Sequence, residues 1–301
     1  MNAKLKLIAS MLIFGSMGLL VRNIVLPSGV IALVRGGVGV LFLLGVCAFT
    51  KTPVSFQAMK RNLLLVLCSG AALGANWIFL FEAYRHTTIA VATLSYYFAP
   101  VLITTASPFI LKEKLTGIKL GCIAAALLGM ALVSGVMDSR GASGIGVLFG
   151  LAAAASYAGF TLMSKFMKEI ASLDATIAQL GVAAFVLLPY TVLTGDLLHV
   201  QPQANSILLL VILGVVHTGL GFWLFFASIQ KLQAQSAAML SYIDPVTAIL
   251  LASLFLHEKM GPGQITGACL ILGAAILSER FGNMRPKSGN HTGVPAQTAA
   301  Q

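Results

Sequence analysis

A single carboxylate, Asp244, lies near the middle of an apolar stretch that runs from residue 234 to residue 256. If this stretch spans a membrane, a charge at its centre costs about 2.5–3.5 kcal/mol on insertion scales. A functional role explains such a residue as a proton-binding site or as the counter-charge for a cationic substrate group. The alternative is a structural hydrogen bond to a neighbouring helix, and we favour the functional role.

Proline follows this acid directly at position 245, and Pro100 holds the matching place in a second apolar stretch. Because proline has no backbone N–H, Pro100 and Pro245 leave the carbonyl groups of Tyr96 and Ser241 without their helical partners. Inside a membrane, such carbonyls must face a cavity or another helix. We therefore predict paired hinges at Pro100 and Pro245 that line one cavity, with a simple packing kink as the alternative.

Three further titratable side chains lie within apolar stretches. Arg35 can extend its guanidinium to the membrane surface, bind a substrate carboxylate or pair with Glu82. Glu82 lies one turn from the end of its stretch, so an interfacial position is its alternative role. His217 can share a proton with Asp244, or it can be a buried histidine whose hydrogen bonds are satisfied.

Polar and aromatic side chains recur at helical spacing in several apolar stretches, which is typical of helix faces that avoid lipid. These faces either line a substrate path or allow close helix packing. Aromatic side chains would then form the cavity walls, although a single tryptophan is also typical of a membrane-interface anchor. Besides the residues above, the candidate lining residues are Phe14, Asn76, Trp77, Tyr96, Tyr97, Tyr157, Trp223, Ser241 and Tyr242.

The composition excludes an ordinary soluble domain. Of the 301 residues, 58% are hydrophobic and only 9% are charged, whereas soluble domains carry about 25% charged residues. These proportions, and the long unbroken apolar stretches, predict an all-α membrane protein rather than a closed β-barrel. The net charge of +10 comes from basic residues placed between the stretches, which indicates membrane topology rather than nucleic-acid binding.

Ten stretches reach the roughly 20 residues that a transmembrane helix needs. With the N-terminus placed in the cytoplasm, 14 Lys and Arg residues fall on the cytoplasmic side and 4 on the other side. This bias predicts a multi-pass protein of the inner (plasma) membrane with both termini cytoplasmic. The predicted spans are 5–25, 28–49, 62–85, 88–111, 116–136, 144–164, 172–193, 205–230, 234–256 and 262–281.

The two halves of the sequence resemble each other. The motif LSY occurs at residues 94–96 and again at 240–242, and Trp77 and Trp223 keep the same offset of 146 residues. Because each half contains five predicted spans, an odd number, the halves should insert with opposite orientation. We therefore predict one repeat at 1–138, a second, inverted repeat at 139–282, and a polar cytoplasmic tail at 283–301 that is disordered.

Each half ends in a proline, an acidic-lysine pair (Glu113-Lys114, Glu258-Lys259) and a GxxxG helix. In this arrangement the chain resembles the EamA family of the drug/metabolite transporter superfamily, over essentially residues 5–281. The resemblance is most specific at residues 94–114 and 240–267, and in the second half the family commonly has the acid-proline pair seen here at residues 244–245. The resemblance implies exporters and importers of amino acids and other small metabolites, often coupled to protons.

The sequence thus predicts a secondary transporter with a cavity between spans three, four, eight and nine, to which spans one and six contribute. We expect no cofactor, no metal and no enzymatic activity, because no Walker, HExxH or nucleophile-elbow motif occurs. The expected partners are a small-molecule substrate, protons and the lipid bilayer, in a monomer or homodimer. Export of an amino acid or related compound is favoured, and the alternatives are an importer or facilitative exchanger of a small nutrient, or a non-transporting receptor or assembly protein.

Overall fold

The computed structural model describes residues 2–134, 143–200, 203–255 and 261–281, and within these ranges the chain is helical and contains no strand. A π-helical segment lies at Leu213–Leu220, and a short 3-10 turn lies at Asp196–His199. The α-helices are α1 (Ala3–Val21), α2 (Ser28–Phe49), α3 (Phe56–Arg61), α4 (Leu63–His86), α5 (Ile89–Tyr96), α6 (Ala99–Ile110), α7 (Gly117–Ser134), α8 (Gly144–Ser164), α9 (Ser172–Leu193), α10 (Ala204–Ile212), α11 (Gly221–Ile229), α12 (Ala234–Ser241), α13 (Ile243–Phe255) and α14 (Pro262–Phe281).

Seven helical segments of the described chain are long and apolar enough to cross a membrane, and the shorter apolar helix Gly117–Val133 adds to them. The expectation of an all-α membrane protein is therefore confirmed. The predicted boundary between the two halves at 138–139, the pair Glu258-Lys259 and the predicted polar tail at 283–301 lie outside the described residues.

Two of the predicted spans are broken near their middle. The span predicted at 88–111 divides into α5 and α6, and the span predicted at 234–256 divides into α12 and α13. Pro100 occupies the first turn of α6, a position where its missing N–H removes no helical hydrogen bond. At both breaks the chain tightens: Phe98 N–H donates to Ser95, and Tyr242 N–H donates to Met239, in i to i−3 hydrogen bonds.

The packing of the helices follows a cross-over pattern between the two halves of the chain. Helix α1 packs against α11 and α13, whereas α8 packs against α4, α5 and α6. Helices α2 and α9 pack against each other, and so do α7 and α14. The first half of the chain is therefore built into the second half and does not form a separate body.

One end of the bundle, which we call the N-terminal face, holds the start of α1. Lys4 at that start forms an ion pair with Glu279 near the end of α14. At the same face the Asn62 amide, just before α4, donates to the carbonyl of Lys168, just after α8, over 2.9 Å. At the opposite face Arg85 pairs with Asp196, which follows α9.

The π-helical segment packs closely on α2. A Cβ on Gly219 would lie 2.6 Å from the Phe42 ring, and Gly214 likewise leaves no room for a Cβ beside Val38. Helix α4 meets α9 through a similar pair of glycines, Gly70 beside Val182 and Gly74 beside Val186. The glycines in α4 are four residues apart, and those in the π-helical segment are five residues apart.

Candidate functional site

A cavity with a volume of about 190 Å³ lies in the middle of the helix bundle. This volume is below the range of about 300–1,000 Å³ that is typical of drug-binding pockets, so it suits a small solute. Helices from both halves of the chain contribute to its walls. The lining residues are Met11, Phe14, Met17, Arg35, Leu73, Asn76, Trp77, Leu80, Tyr84, Thr93, Tyr96, Tyr97, Ala99, Pro100, Tyr157, His217, Phe222, Ser241 and Asp244.

The break between α12 and α13 explains how a carboxylate is accommodated at this depth. Because α13 begins at Ile243, Asp244 lies in the first turn of the helix. The first turn of a helix is a place where the helix dipole favours a negative charge. The hydroxyl of Tyr97, a residue within the matching break between α5 and α6, interacts with the Asp244 carboxyl. The two broken helices thus meet at this acid.

Arg35 also lies on the cavity wall, and its charge is opposite to that of Asp244. Its guanidinium carbon is 4.4 Å from the centre of the Trp77 ring, and its Nη1 lies 2.7 Å from the Met17 sulfur. Only 9% of its surface is exposed, so it does not extend to the membrane surface. Nor does it pair with Glu82, whose carboxylate instead binds Arg85 at 3.0 Å and the Tyr190 hydroxyl at 2.6 Å.

His217, in the middle of the π-helical segment, lines the same cavity. Its Nε2 lies 3.0 Å from the Ser16 hydroxyl of α1. Of the two roles considered, a proton shared with Asp244 and a buried histidine with satisfied hydrogen bonds, the structure gives Nε2 a serine as its partner, while the buried Nδ1 has no partner among the described residues. The Asn76 amide, also on the wall, donates to the carbonyl of Ala153 over 2.8 Å and ties α4 to α8.

Aromatic rings close the cavity toward the N-terminal face. Tyr157 stands edge-on to Tyr96 with 6.0 Å between the ring centres, and the rings of Phe160 and Phe225 stack at 6.0 Å immediately below it. Phe160 and Phe225 are 1% and 2% exposed, so they form a buried layer between the cavity and this face. Phe14 and Phe222, 5.0 Å apart, complete the closure.

Four predicted site residues lie outside the cavity wall. Tyr242 is fully buried and its hydroxyl donates to the carbonyl of Tyr97 over 3.2 Å, so it joins the two broken helices. Trp223 packs against the hydrophobic core, and Pro245 is buried in the first turn of α13. Glu82 belongs to the ion-pair cluster at the face opposite the N-terminal face.

The cavity wall also contains residues that the sequence did not single out, among them Met17, Tyr84 and Phe222. Apolar and aromatic residues of this kind occur throughout the ten predicted spans, so their type carries no signal. Spacing does carry one for Tyr84, because it lies seven residues, about two helical turns, after Trp77.

Comparisons with known proteins agree with this architecture. The family model of the EamA-like transporter family matches residues 2–135 and again residues 144–279. An uncharacterized transporter of Bacillus subtilis (strain 168), YxxF, is 31% identical over 281 residues, covering 92% of this chain and 89% of its own length. An uncharacterized transporter of Clostridium kluyveri is 27% identical over 79% of this chain and 81% of its own length. A solved structure, titled only as a crystal structure of a protein, shares the fold with a TM-score of 0.82 at 18% identity, over 92% of this chain and 98% of that one.

Proposed function

Because this chain belongs to the EamA-like transporter family of the drug/metabolite transporter superfamily, it is a membrane transporter, and we propose that it moves a small metabolite by alternating access. One observation carries the proposal. A cavity inside the membrane-spanning bundle, lined by both halves of the chain and containing a carboxylate, is closed toward one face by stacked aromatic rings. Such a site, near the middle of the membrane and at the interface of two halves, is typical of secondary transporters.

The proposed architecture has ten spans in two inverted five-helix repeats. Reciprocal helix contacts support it. Helix α1 of the first half packs on α11 and α13 of the second, and α8 of the second half packs on α4, α5 and α6 of the first. The close glycine contacts of α4 on α9 and of the π-helical segment on α2 add independent support. Five helices on each side of a two-fold axis in the membrane plane would produce these reciprocal contacts.

We propose that both termini lie in the cytoplasm, in the inner (plasma) membrane. The 14-to-4 distribution of basic residues supports this orientation, and so does the ion pair between Lys4 and Glu279 that holds the first and last helices at one face. The closed side of the cavity would then be the cytoplasmic side. This is the conformation in which a transporter binds solute from outside the cell or releases solute to it.

In the proposed mechanism Asp244 binds a proton or the cationic group of the solute, and the breaks before Pro100 and Pro245 allow the half-helices to move. The family favours export of an amino acid or related compound driven by protons. Import or facilitative exchange of a small nutrient is the second candidate, because a single closed side does not fix the direction of net transport. We propose that the protein acts as a monomer or a homodimer.

Reconstitution into liposomes with labelled amino acids and other small metabolites tests the proposal. We expect at least one labelled solute to cross in protein-containing liposomes, and an imposed proton gradient to drive its accumulation. Liposomes that contain a Gly150→Trp variant serve as the control, because a Cβ at Gly150 already lies 2.5 Å from the Ser95 Cβ and an indole there must separate α8 from α5. If no solute moves under any gradient, the chain is a receptor or assembly protein and the transport proposal is wrong.

A further inference from the structure

Arg35 has an incomplete set of partners. An arginine carries five N–H donors, yet among the described residues the polar contacts of this guanidinium are the Trp77 ring face and the Met17 sulfur, and sulfur is a weak acceptor. Its buried Nε–H has no hydrogen-bond partner among the described residues. Nor does any carboxylate of the described residues lie within 4.0 Å of its nitrogen atoms.

A buried charge without a counter-ion is costly, by several kcal/mol per ion in proteins. The cation–π contact offsets part of this cost, and it leaves the N–H donors in the guanidinium plane unsatisfied. The planar fork of arginine matches a carboxylate or phosphate in two parallel hydrogen bonds. The Arg35 guanidinium therefore lacks an anionic partner, and its side chain lines the cavity through which an anion can reach it.

Asp244 presents the complementary charge on the same wall. Within the described residues it forms no ion pair, and its side chain interacts with the Tyr97 hydroxyl. Two opposite charges thus share a cavity of about 190 Å³ without neutralising each other. A solute that carries both an anionic and a cationic group would neutralise both, whereas a solute with one charge would leave the other charge buried and uncompensated.

We propose that Arg35 is the anion subsite of the cavity and that the solute is a small amphoteric molecule whose carboxylate binds Arg35 and whose cationic group binds Asp244. This inference rests on the proposed transport function, and it specifies what that function requires of the solute. The aromatic rings around the two charges, among them Trp77 and Tyr96, provide an apolar wall for the part of the solute between its charged groups.

Trp77 provides a reporter for binding. The chain has two tryptophans, and Trp223 lies outside the cavity wall, so a Trp223→Phe protein has its only indole under the Arg35 guanidinium. The full chain with this substitution, in lipid nanodiscs, is titrated with each of the twenty amino acids. Every amino acid that changes the fluorescence is then compared with its amide, which lacks the anion, and with its deaminated acid, which lacks the cation.

We expect at least one amino acid to bind, and both of its analogues to bind about tenfold more weakly or worse, because each leaves one buried charge unpaired. Equal binding of the amide would overturn the anion subsite, and equal binding of the deaminated acid would overturn the amphoteric solute. Binding of none of the twenty would overturn the inference as a whole. Transport of only a sugar or an amine in liposomes would overturn the amphoteric solute and leave the transport function intact. Binding of an amino acid without any flux would overturn the transport function and leave the amphoteric solute intact.

Substitution of the arginine separates a binding role from a structural one. Arg35→Met removes a charge that has no counter-ion among the described residues, so we expect the thermal unfolding temperature to stay the same or rise while amino-acid binding is lost. Arg35→Lys keeps the charge but not the fork, and should bind at least about tenfold more weakly. Arg85→Met, at an exposed ion pair outside the cavity, is the matched control and should bind like the parent protein. A clear fall in the unfolding temperature of Arg35→Met, or its unchanged binding, would contradict the proposal.

Discussion

At the scale of single residues, the environment of Asp244 is what makes a carboxyl group tolerable inside the bundle. The acid lies in the first turn of α13, at the positive end of the helix dipole, and beside the Tyr97 hydroxyl. Its partners are thus one hydroxyl and a helix end, and none of them is a fixed cation within the described residues. An acid held in this way is able to exchange its partner for a proton or a solute.

We expect Asp244→Asn to abolish proton-driven accumulation of solute while the protein still folds, because an amide keeps the size and hydrogen-bonding capacity of the acid but not its charge. Accumulation in proteoliposomes under an imposed proton gradient measures this, with size-exclusion profiles as the check on folding. Asp174→Asn is the control, since Asp174 accepts a hydrogen bond from Ser55 N–H at the N-terminal face, away from the cavity. Accumulation by the Asp244→Asn protein equal to that of the parent would rule out this role.

The sequence reveals a site residue when the polarity of its side chain differs from that of its neighbours in the chain. Asp244, Arg35, Asn76 and His217 stand out because a polar group in an apolar helix needs a reason. Phe222 and Met17 do not stand out, because lipid accepts them as readily as a cavity does. The partners of Arg35 and His217 were also beyond prediction, since they depend on the relative rotation of helices far apart in the sequence.

At the scale of helices, the breaks in the two matched spans were expected only in part. The prolines indicate where a helix is weakened, and the residues at the breaks lie two or three positions ahead of them. Pro100 thereby falls in the first turn of α6. The ring of Pro100 would clash with the carbonyl of Tyr96 in a continuous helix. The chain avoids this clash by ending α5 at Tyr96 itself.

We expect Pro100→Ala to slow transport without weakening solute binding, because alanine restores the N–H that a continuous helix through the break needs. The turnover rate in liposomes and the Trp77 fluorescence titration separate these two effects. Pro108→Ala, in the same helix but away from the break, is the matched control. An unchanged turnover rate for Pro100→Ala would show that the break has no role in transport.

The connection between α11 and α12 is held by two charged side chains at the N-terminal face. Both carboxylate oxygens of Glu113 accept backbone hydrogen bonds at the start of α12, from Ala234 at 2.7 Å and Gln235 at 3.1 Å. Lys165 donates to the carbonyls of Ile229 and Leu232 at the end of α11. Burial lowers the pKa of the Lys165 ammonium, and the charge of Glu113 raises it. These contacts hold the connection between α11 and α12 against the ends of α6 and α8, which helps to keep the bundle closed at this face.

We expect Glu113→Gln to loosen this closure by about 0.5–2 kcal/mol, the usual contribution of a helix N-cap. Hydrogen exchange of the backbone amides at 234–236 should become faster, since these amides lose a charged acceptor. Glu169→Gln is the control, because its ion pair with Arg61 is exposed on both sides and contributes little. Unchanged exchange at 234–236 would mean that the Glu113 carboxylate does not hold the start of α12.

At the scale of the whole molecule, the distribution of basic residues and the contacts at the two faces describe the same arrangement. The residues that the charge rule assigns to one side, such as Lys165 and Lys168, lie at the N-terminal face with the start of α1. Arg85, assigned to the other side, lies at the opposite face with Asp196. Composition was sufficient to predict the all-helical membrane class, because few other folds tolerate so little charge.

We expect a cysteine at position 169 to react with a membrane-impermeant maleimide only in inverted vesicles, and a cysteine at position 197 only in intact cells. Glu169 and Leu197 are exposed at the N-terminal face and the opposite face, respectively. A background in which Cys47, Cys68, Cys122 and Cys269 are replaced by serine provides the control. Reaction of both positions from the same side would contradict the orientation.

The π-helical segment has a consequence for how the two halves of the chain differ. In an α-helix, residues five apart are about 140° apart around the axis, so Gly214 and Gly219 could not both face α2. The i to i+5 turns of the segment bring them back to one face, where they touch Val38 and Phe42. The wide turn therefore places four residues between its two contact glycines, His217 among them, whereas α4 places three between Gly70 and Gly74.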